Sequence, residues 1–483
     1  MNEAPEVVSG FSELFFRHSE AELFLTDDGQ RVSYAAVGGL ADSGSFAGAS
    51  RRLVLCFCDN KADSLLGYLA CLCGNAIPLV VGSSITREQL GNLLQKYCPE
   101  FAWVPISRKD EIPNSRVLCN RGEFCLLKID VSDGYEIHDS LALLLSTSGS
   151  TGSPRFVRLS HENIVSNATA IAEYLEITKD DIPITTLPPS YTYALSILHS
   201  HIIMGARIAI TNQTFFNRGF WDFLKDSRAT SFGGVPYHYE ILRKLKFGRM
   251  DVPSLNTLTQ AGGKMSPEVT RDFAVDCSQR GIRFFTMYGQ AEATARMSYL
   301  PHYKAIEKAG SIGQAIPGGE FWLEDERGNQ LDGVNETGEL VYRGKNVCMG
   351  YAEGYRDLAR GDDFAGVLHT GDLARRDVDG DYYIVGRKKR FLKIFGHRVN
   401  LQDVEDFLSR SGFQTACAGR DDLLEVYAVG VGDCDVQAIK QKAMGELKVG
   451  PGAVRVYGIA ELPRNDAGKI QYGQLSSSGD FHA

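Results

Sequence analysis

The chain has 483 residues, of which 43% are hydrophobic and 23% are charged, as in an ordinary soluble globular protein. Its length exceeds the size at which a single hydrophobic core usually keeps growing, so we expect two or more domains. The 51 basic and 60 acidic residues give a net charge of −9, which disfavours nonspecific binding to nucleic acid or to an anionic membrane. A small-molecule partner fits this charge balance better.

The cysteines do not predict a metal site. All 11 are scattered along the chain without a Cys-x-x-Cys motif, and the alternation of Cys56 and Cys58 is typical of buried positions. The first residues lack the basic and apolar regions of a signal peptide, and His199, His201 and Arg207 interrupt the apolar stretch near residues 194–210. We therefore expect a reduced, cytoplasmic protein without a membrane span.

Short apolar runs alternate with longer helix-like stretches over the first part of the chain. The predicted strands are Leu53–Phe57, Ala76–Val81, Leu141–Leu145 and Ile208–Thr211. The predicted helices are Ala62–Gly74, Thr86–Lys96 and His161–Leu175. This alternation predicts a layered α/β protein.

A second, smaller domain is predicted near the C-terminal end. Tyr382–Val385 has the pattern of a hairpin strand that follows an Asp379-Gly380 turn. A basic patch at residues 387–390 comes next, and we place the domain boundary there. The predicted fold class is therefore α/β, with a large multi-layer N-terminal α/β domain at residues 1–388 and a small mobile C-terminal α+β domain at residues 389–483.

The segment most informative about function is residues 144–161. An apolar strand is followed there by a run of serines, threonines and glycines, and then by the positively charged Arg155. Gly149 and Gly152 allow the backbone to bend and to approach a polyanion closely. Arg155 supplies a fixed positive charge. The residues expected to contact phosphate are Thr147, Ser148, Gly149, Ser150, Thr151 and Gly152. A nucleotide triphosphate is the expected ligand.

This segment resembles the phosphate-binding signature of the adenylate-forming superfamily, which contains acyl- and aryl-CoA synthetases, adenylation domains of peptide synthetases, and luciferases. A P-loop NTPase is not indicated, because no Lys-Ser/Thr pair follows the two glycines. Further motifs follow in the family's order: Leu187–Tyr193, Gln260–Lys264, Tyr288–Glu292, His369–Asp372, Gly386–Arg398 and Leu462–Lys469. The resemblance therefore covers most of the chain.

The resemblance implies an ATP-dependent carboxylic acid ligase that forms an acyl adenylate and releases pyrophosphate. The acyl group would then pass to a thiol, either of CoA or of the phosphopantetheine of a separate acyl carrier protein. The resemblance implies ATP and Mg²⁺ as cofactors. Mg²⁺ would neutralise the negative charge of the ATP phosphates during the reaction. Two alternatives stay open: transfer to an amine, and a nucleotide-binding relative that regulates without catalysis. A kinase is not indicated, because its motifs are absent.

The resemblance also implies roles for single residues. Glu292 would hold Mg²⁺ within a Tyr-Gly-x-Thr-Glu pattern, in which Ala291 here replaces the threonine, and Thr294 is a candidate substitute donor. Asp372 resembles the residue that accepts hydrogen bonds from both ribose hydroxyls. The other implied nucleotide contacts are Gly262, Gly263, Tyr288, Gly289, Gln290, Arg387 and Arg398.

Two lysines belong to the implied movement of the C-terminal domain. Lys469 resembles the lysine that reaches the α-phosphate and the carboxylate during adenylation, and it joins Glu292 and Arg155 as an implied catalytic residue. A lysine suits this task because it is a compact, mobile charge. Lys389 resembles the hinge at which the domain rotates between an adenylating and a thioester-forming pose.

The sequence leaves the identity of the acid open. Residues 190–195 lack the aspartate that relatives specific for amino acids use to pair the ammonium group. The candidate acid-binding residues are Tyr191, Tyr193, Tyr237, His238 and Lys264, with Ala261 and Met287 beside them. This mostly apolar set favours an aryl, hydroxylated or short acyl acid.

Overall fold

A computed structural model of the chain describes residues 13, 17–131, 134–146, 155–388, 390–395, 397–464 and 470–475. These residues form two compact units. The first unit holds the described residues up to 320 together with residues 342–368, and the second holds residues 321–341 and the described residues from 369 onward. A domain boundary at residue 388 or 389 stays a prediction.

The largest sheet in the described part of the first unit has eight strands. Its neighbouring strands Leu53–Phe57 and Ile77–Val81 are parallel and buried at every position, which explains their continuous apolar sequences. In spatial order the strands are Tyr351–Ala352, Phe156–Ser160, Leu141–Ser146, Ile77–Val81, Leu53–Phe57, Phe101–Pro105, Phe124–Ile129 and Ser115–Arg121.

A five-stranded sheet in the same unit gathers several predicted site segments. Its described strands are, in spatial order, Ser231–Gly234, Thr257–Gln260, Arg283–Tyr288, Ser298–Leu300 and Gln314–Ala315. The first three are parallel, with Gly234 opposite Gln260 and Gln260 opposite Thr286. Because carboxyl ends of neighbouring parallel strands meet at one edge, the segments that begin at residues 235, 261 and 289 start side by side.

The remaining described elements of the first unit complete its layers. A three-stranded sheet has the spatial order Ile208–Ile210, Glu22–Thr26 and Arg31–Ser33. The helices are Ala35–Ala41, Gly44–Ala47, Ala62–Cys73, Arg87–Tyr97, His161–Leu175, Thr192–Ile202, Arg218–Asp226, Pro236–Lys244 and Pro267–Gln279. Short 3-10 helices are Ile106–Glu111, Phe247–Arg249, Ala291–Ala293, His302–Lys304 and Tyr355–Ala359.

Local sequence signals predicted several of these elements closely. Strand Leu53–Phe57 and helix His161–Leu175 have the predicted bounds. Helix Arg87–Tyr97 begins one residue later than predicted, because the side chain of Thr86 caps it by accepting a hydrogen bond from the backbone N–H of Gln89. The predicted α/β fold class is confirmed.

The second unit has its own sheets and core. Its described strands form a sheet in the spatial order Gln330–Leu331, Glu320–Glu324, Thr337–Arg343, Val367–Arg376 and Tyr382–Arg387, a hairpin of Phe391–Ile394 and His397–Asn400, and a sheet of Thr415–Arg420, Leu423–Val429 and Val454–Ile459. Its helices are Leu401–Arg410, Asp433–Leu447, the 3-10 helix Pro451–Ala453, and Tyr472–Leu475. The predicted turn before Tyr382 is present, with Gly380 at a φ of +82°.

A buried ion pair lies at the centre of several contacts in the second unit. Nη2 of Arg390 donates to Oε1 of Glu405 at 2.7 Å, and its guanidinium carbon lies 3.8 Å from the ring centre of Tyr472. The Tyr472 hydroxyl donates to Oε2 of Glu405 at 3.2 Å, and the backbone N–H of Cys417 donates to Oε1 at 2.6 Å. Both oxygens of this carboxylate are therefore satisfied.

Two predictions about the chain as a whole concern cysteines and membranes. Cys56 and Cys58 are buried and free, as their alternation indicated. Within the described residues, none of the helices combines the length and the apolar character that crossing a bilayer would require.

Candidate active site

The segment that carries Glu292 is a tightly closed loop. Strand Arg283–Tyr288 ends at Tyr288, and the chain returns so that the N–H of Met297 donates to the carbonyl of Tyr288 at 2.9 Å. A Cβ on Gly289 would lie 1.7 Å from the carbonyl oxygen of Ala295, so only glycine fits there. This explains the glycine of the Tyr-Gly-x-x-Glu motif. Within it, Nε2 of Gln290 donates to the Tyr288 hydroxyl at 3.0 Å.

Buried polar contacts fix the far side of this loop. The Thr294 hydroxyl donates to the carbonyl of Asn346 at 2.7 Å, and Thr294 has a φ of +64°. Nδ2 of Asn346 donates back to the carbonyls of Ala293 and Arg296. The single hydroxyl hydrogen of Thr294 is therefore engaged inside the protein, which contradicts the expectation that it substitutes for the hydroxyl missing at Ala291.

Glu292 and Arg155 come from distant motifs and meet through Tyr351. The Tyr351 hydroxyl donates to Oε1 of Glu292 at 3.0 Å. The guanidinium carbon of Arg155 lies 3.5 Å from the ring centre of Tyr351, a cation–π contact. Burial and the adjacent Glu292 raise the pKa of the Tyr351 hydroxyl above its ordinary value, so it stays a hydrogen-bond donor at neutral pH.

Sheet pairing and a buried arginine hold Tyr351 in place. Tyr351 lies opposite Val157 on the neighbouring antiparallel strand. Nε of Arg158 donates to the carbonyl of Tyr351 at 3.1 Å, and its Nη2 pairs with Asp363 at 2.6 Å. Sequence reasoning missed Tyr351, and no local signal could have found it, because the pairing joins segments about 200 residues apart in the chain.

Two of the predicted acid-binding tyrosines lie close to the glycine-containing loop. Gly262 has a φ of +80°, and a Cβ there would lie 2.3 Å from the hydroxyl oxygen of Tyr191. The rings of Tyr191 and Tyr193 are edge to face with centres 6.3 Å apart. The Tyr193 hydroxyl donates to the carbonyl of Thr259 at 2.9 Å, which ties it to the five-stranded sheet. Nε2 of Gln260 donates to the carbonyl of Gly263 at 2.9 Å.

The other predicted acid-binding residues differ in burial and in contacts. The ring of His238 packs edge to face on Phe215, and burial lowers the pKa of His238 to about 4. No described residue makes a hydrogen bond to its Nδ1. Tyr237 is 39% exposed, and Lys264 is exposed on the loop before the Ser266 cap of a helix.

Asp372 and Arg387 form an ion pair in the second unit. They lie opposite each other on adjacent antiparallel strands, with Nε of Arg387 3.0 Å from Oδ1 of Asp372. The carboxylate is 4% exposed, whereas the guanidinium side chain is 64% exposed. The Thr370 hydroxyl accepts from the N–H of Asp372 at 3.1 Å and donates to the carbonyl of Leu340 at 2.7 Å. The predicted ribose contact Asp372 and the predicted nucleotide contact Arg387 are thus neighbours.

The remaining predicted residues stand as follows. Arg398 lies on the strand His397–Asn400, opposite Lys393. Thr147, Ser148, Gly149, Ser150, Thr151, Gly152, Lys389 and Lys469 lie outside the described residues.

The described residues fit a nucleotide with Mg²⁺ better than a metal held by protein alone. No group of three or more His, Cys, Asp or Glu that could hold a metal occurs among them. Mg²⁺ in nucleotide sites is usually bound by one or two carboxylates together with phosphates and water. Glu292 is the carboxylate predicted for Mg²⁺, and it contacts the same tyrosine as Arg155.

Comparison with curated proteins places these features in a family. Residues 18–352 match the model of the family described as AMP-binding enzyme. The chain is 30% identical over 274 residues to the medium-chain fatty-acid–CoA ligase of Escherichia coli (strain K12), covering 56% of this chain and 47% of that protein. It is 27% identical over 357 residues to the oxalate–CoA ligase of Arabidopsis thaliana, covering 69% and 66%. The chain thus matches less than two thirds of the length of either relative.

Solved structures share the fold over a larger part of the chain. ATP-bound MatB from Rhodopseudomonas palustris matches with a TM-score of 0.78 and 21% identity, covering 98% of this chain and 100% of that one. The o-succinylbenzoate CoA synthetase from Bacillus subtilis, in complex with its acyl-adenylate intermediate, matches with a TM-score of 0.76 and 19% identity, covering 96% and 97%. The resemblance predicted from the motifs is confirmed, and the chain belongs to the AMP-binding enzyme family.

Proposed function

We propose that this chain is an ATP-dependent ligase that activates a small carboxylic acid as an acyl adenylate and transfers the acyl group to a thiol. The observation that carries the proposal is the Arg155–Tyr351–Glu292 cluster, in which a cation after the hydroxyl-rich segment and a carboxylate share one tyrosine. The names of the relatives support a CoA ligase. They cover fatty acids and oxalate, so similarity alone does not choose the acid.

The first half-reaction joins two anions. A carboxylate oxygen of the acid would attack the α-phosphorus of ATP, the bond between that phosphorus and the bridging oxygen would break, and pyrophosphate would leave. Arg155 would attract the phosphates, and Tyr351 would keep Glu292 in a fixed orientation. Mg²⁺, when bound at Glu292, would neutralise charge on the phosphates.

The nucleoside would be held by residues of the second unit. The buried Asp372 carboxylate is a two-oxygen acceptor, suited to a pair of ribose hydroxyls, and the ion pair with Arg387 would keep it oriented. We assign the remaining contacts to the hydroxyl-rich segment at residues 147–152, to the Tyr288 motif, and to Lys469 at the α-phosphate.

The second half-reaction consumes the adenylate. A thiolate sulfur of CoA or of a carrier-protein phosphopantetheine would attack the acyl carbon, AMP would leave with the bonding electrons, and the thiol proton would pass to solvent. We assign the change of pose between the half-reactions to Lys389, at a boundary between residues 1–388 and 389–483.

Acid-dependent exchange of labelled pyrophosphate into ATP, run over a panel of acids, tests the proposal. Exchange with at least one acid, abolished by Glu292→Gln, is the expected result. Transfer from a synthetic acyl adenylate to CoA, to a carrier protein or to an amine then distinguishes the acceptors. Absence of exchange with every acid, alongside ATP binding, would instead favour the nucleotide-binding regulatory relative.

A further inference from the structure

Two arginines are buried among the described residues of the first unit, and they differ in their partners. Arg158 pairs with the carboxylate of Asp363 at 2.6 Å. Arg296 is 2% exposed, and no described carboxylate lies within ion-pair distance of it. A buried charge without a counter-ion is costly, so a guanidinium kept in this state calls for an explanation.

Within the described part of the chain, the groups that hold the guanidinium of Arg296 are all neutral. Its Nε donates to the hydroxyl of Ser196 at 3.0 Å, and its Nη1 donates to the hydroxyl of Tyr174 at 3.1 Å. Nη1 also lies 3.3 Å from the sulfur of Met287, a weak acceptor. No described residue accepts a hydrogen bond from Nη2. The two N–H groups of Nη2 are therefore available to donate to a ligand.

Among the described residues that contact Arg296, none carries a negative charge. Burial lowers the pKa of His201 to about 4, and Arg296 contributes to that lowering. Burial likewise raises the pKa of the adjacent Tyr174 hydroxyl, so that both side chains are neutral at pH 7. The contact with the ring of Tyr193, 5.1 Å from the guanidinium carbon, is attractive but does not cancel the charge.

Arg296 contacts residues that we predicted from the sequence to bind the acid substrate. Tyr193 and Met287, both in contact with its guanidinium, belong to the predicted acid-binding set. Asn167 and Asn346 hold its backbone carbonyl at 2.7 and 3.2 Å, so the position of Arg296 at the end of the Glu292 loop is fixed. The N–H groups of Nη2 can donate charge-assisted hydrogen bonds to a carboxylate.

We propose that Arg296 determines specificity by pairing with a second carboxylate of the acid, so that the substrate is a dicarboxylic acid. The inference rests on the proposed ligase function and deepens it. It adds a cation to the mostly apolar set of residues predicted to bind the acid.

The test compares acids that differ only in the second carboxylate: butanoate with succinate, hexanoate with adipate, and benzoate with terephthalate. Pyrophosphate exchange is measured for the parent chain, for Arg296→Met and for Arg280→Met. Arg280 is a matched control, because it also contacts an aromatic ring and backbone carbonyls, at Phe247 and Met250, away from the predicted acid-binding residues. Melting temperatures of all three proteins are recorded.

We expect the parent to prefer the dicarboxylic member of at least one pair by about 100-fold in kcat/KM, as for a buried ion pair. Arg296→Met should remove most of that preference while retaining exchange with the monocarboxylic partner, and Arg280→Met should preserve the parental ratio. A parent that uses the members of every active pair equally, or an Arg296→Met variant that keeps the parental ratio, overturns the inference.

Failure of the inference and failure of the ligase proposal give different results. Exchange with monocarboxylic acids alone leaves the ligase function standing and refutes the role of Arg296. No exchange with any acid refutes the ligase function and this inference with it. If Arg296→Met does not fold, the ratio measured on the parent decides, together with the ratio for Arg296→Lys, which keeps the charge but loses the N–H groups of Nη2.

Discussion

Replacement of Tyr351 by phenylalanine tests the link between the two halves of the proposed phosphate site. The change removes the hydroxyl that donates to Glu292 at 3.0 Å and leaves the ring on which Arg155 packs. A hydrogen bond to a charged group contributes about 1.5–3 kcal/mol, and the half-buried position of both partners favours the lower end. We therefore expect a loss of about tenfold in kcat/KM for pyrophosphate exchange.

The assay measures exchange against Mg²⁺ and ATP concentration for the parent, Tyr351→Phe, Glu292→Gln and the double variant. If the hydroxyl acts by orienting Glu292, Tyr351→Phe should cost less than half as much free energy in the Glu292→Gln background as in the parent. Tyr355→Phe is the control, because the hydroxyl of Tyr355 contacts only the neighbouring Arg356 in the hydrogen bonds described. Equal costs in the two backgrounds would refute the orienting role.

Three further outcomes are expected. Gly289→Ala should lower both the melting temperature and exchange, because its Cβ would lie 1.7 Å from a carbonyl oxygen, whereas Gly91→Ala, in an open helical position, should raise stability by about 0.5–1 kcal/mol. Asp372→Ala should weaken binding of a non-hydrolysable ATP analogue in calorimetry, whereas Glu292→Gln should depress turnover more than binding. When the pH is lowered from 7 to 5, the His201→Gln variant should lose less stability than the parent protein, as measured by urea unfolding.

The sign of the pH effect follows from burial. The pKa of His201 is about 4 in the folded protein and about 6.5 when unfolded, so below pH 6.5 the unfolded chain binds a proton that the folded chain does not. Stability therefore falls as the pH drops from 6.5 toward 4, by about 2 kcal/mol at pH 5 for this group. A variant that loses as much stability on acidification as the parent would contradict this assignment.

Elements with complete local signals were predictable from the sequence. Helix His161–Leu175 begins after Ser160, which exchanges hydrogen bonds with Asn163 in a capping box, and its apolar positions repeat with helical spacing. The fully buried strand Leu53–Phe57 is equally local, since all five of its residues are buried. In both cases the residues that define the element lie within or beside it.

Features that depend on distant pairing were not predictable. Tyr351 reaches Glu292 only because its strand pairs with the one that follows Arg155. The expectation that Thr294 offers a free hydroxyl was wrong because Asn346, 52 residues away, accepts its hydrogen. The contacts of Arg296 were equally unpredictable. They are made by Ser196 and Tyr174, which lie at least 100 residues away in the chain.

The Arg390–Glu405 ion pair connects two distant segments of the second unit. Arg390 follows the proposed hinge directly, and Tyr472, which packs on it, stands three residues after Lys469 in the chain. Glu405 therefore binds both Arg390 and Tyr472, which are 82 residues apart in the chain. If Lys389 is the hinge, these contacts would make the residue that follows it rotate together with the helix Tyr472–Leu475.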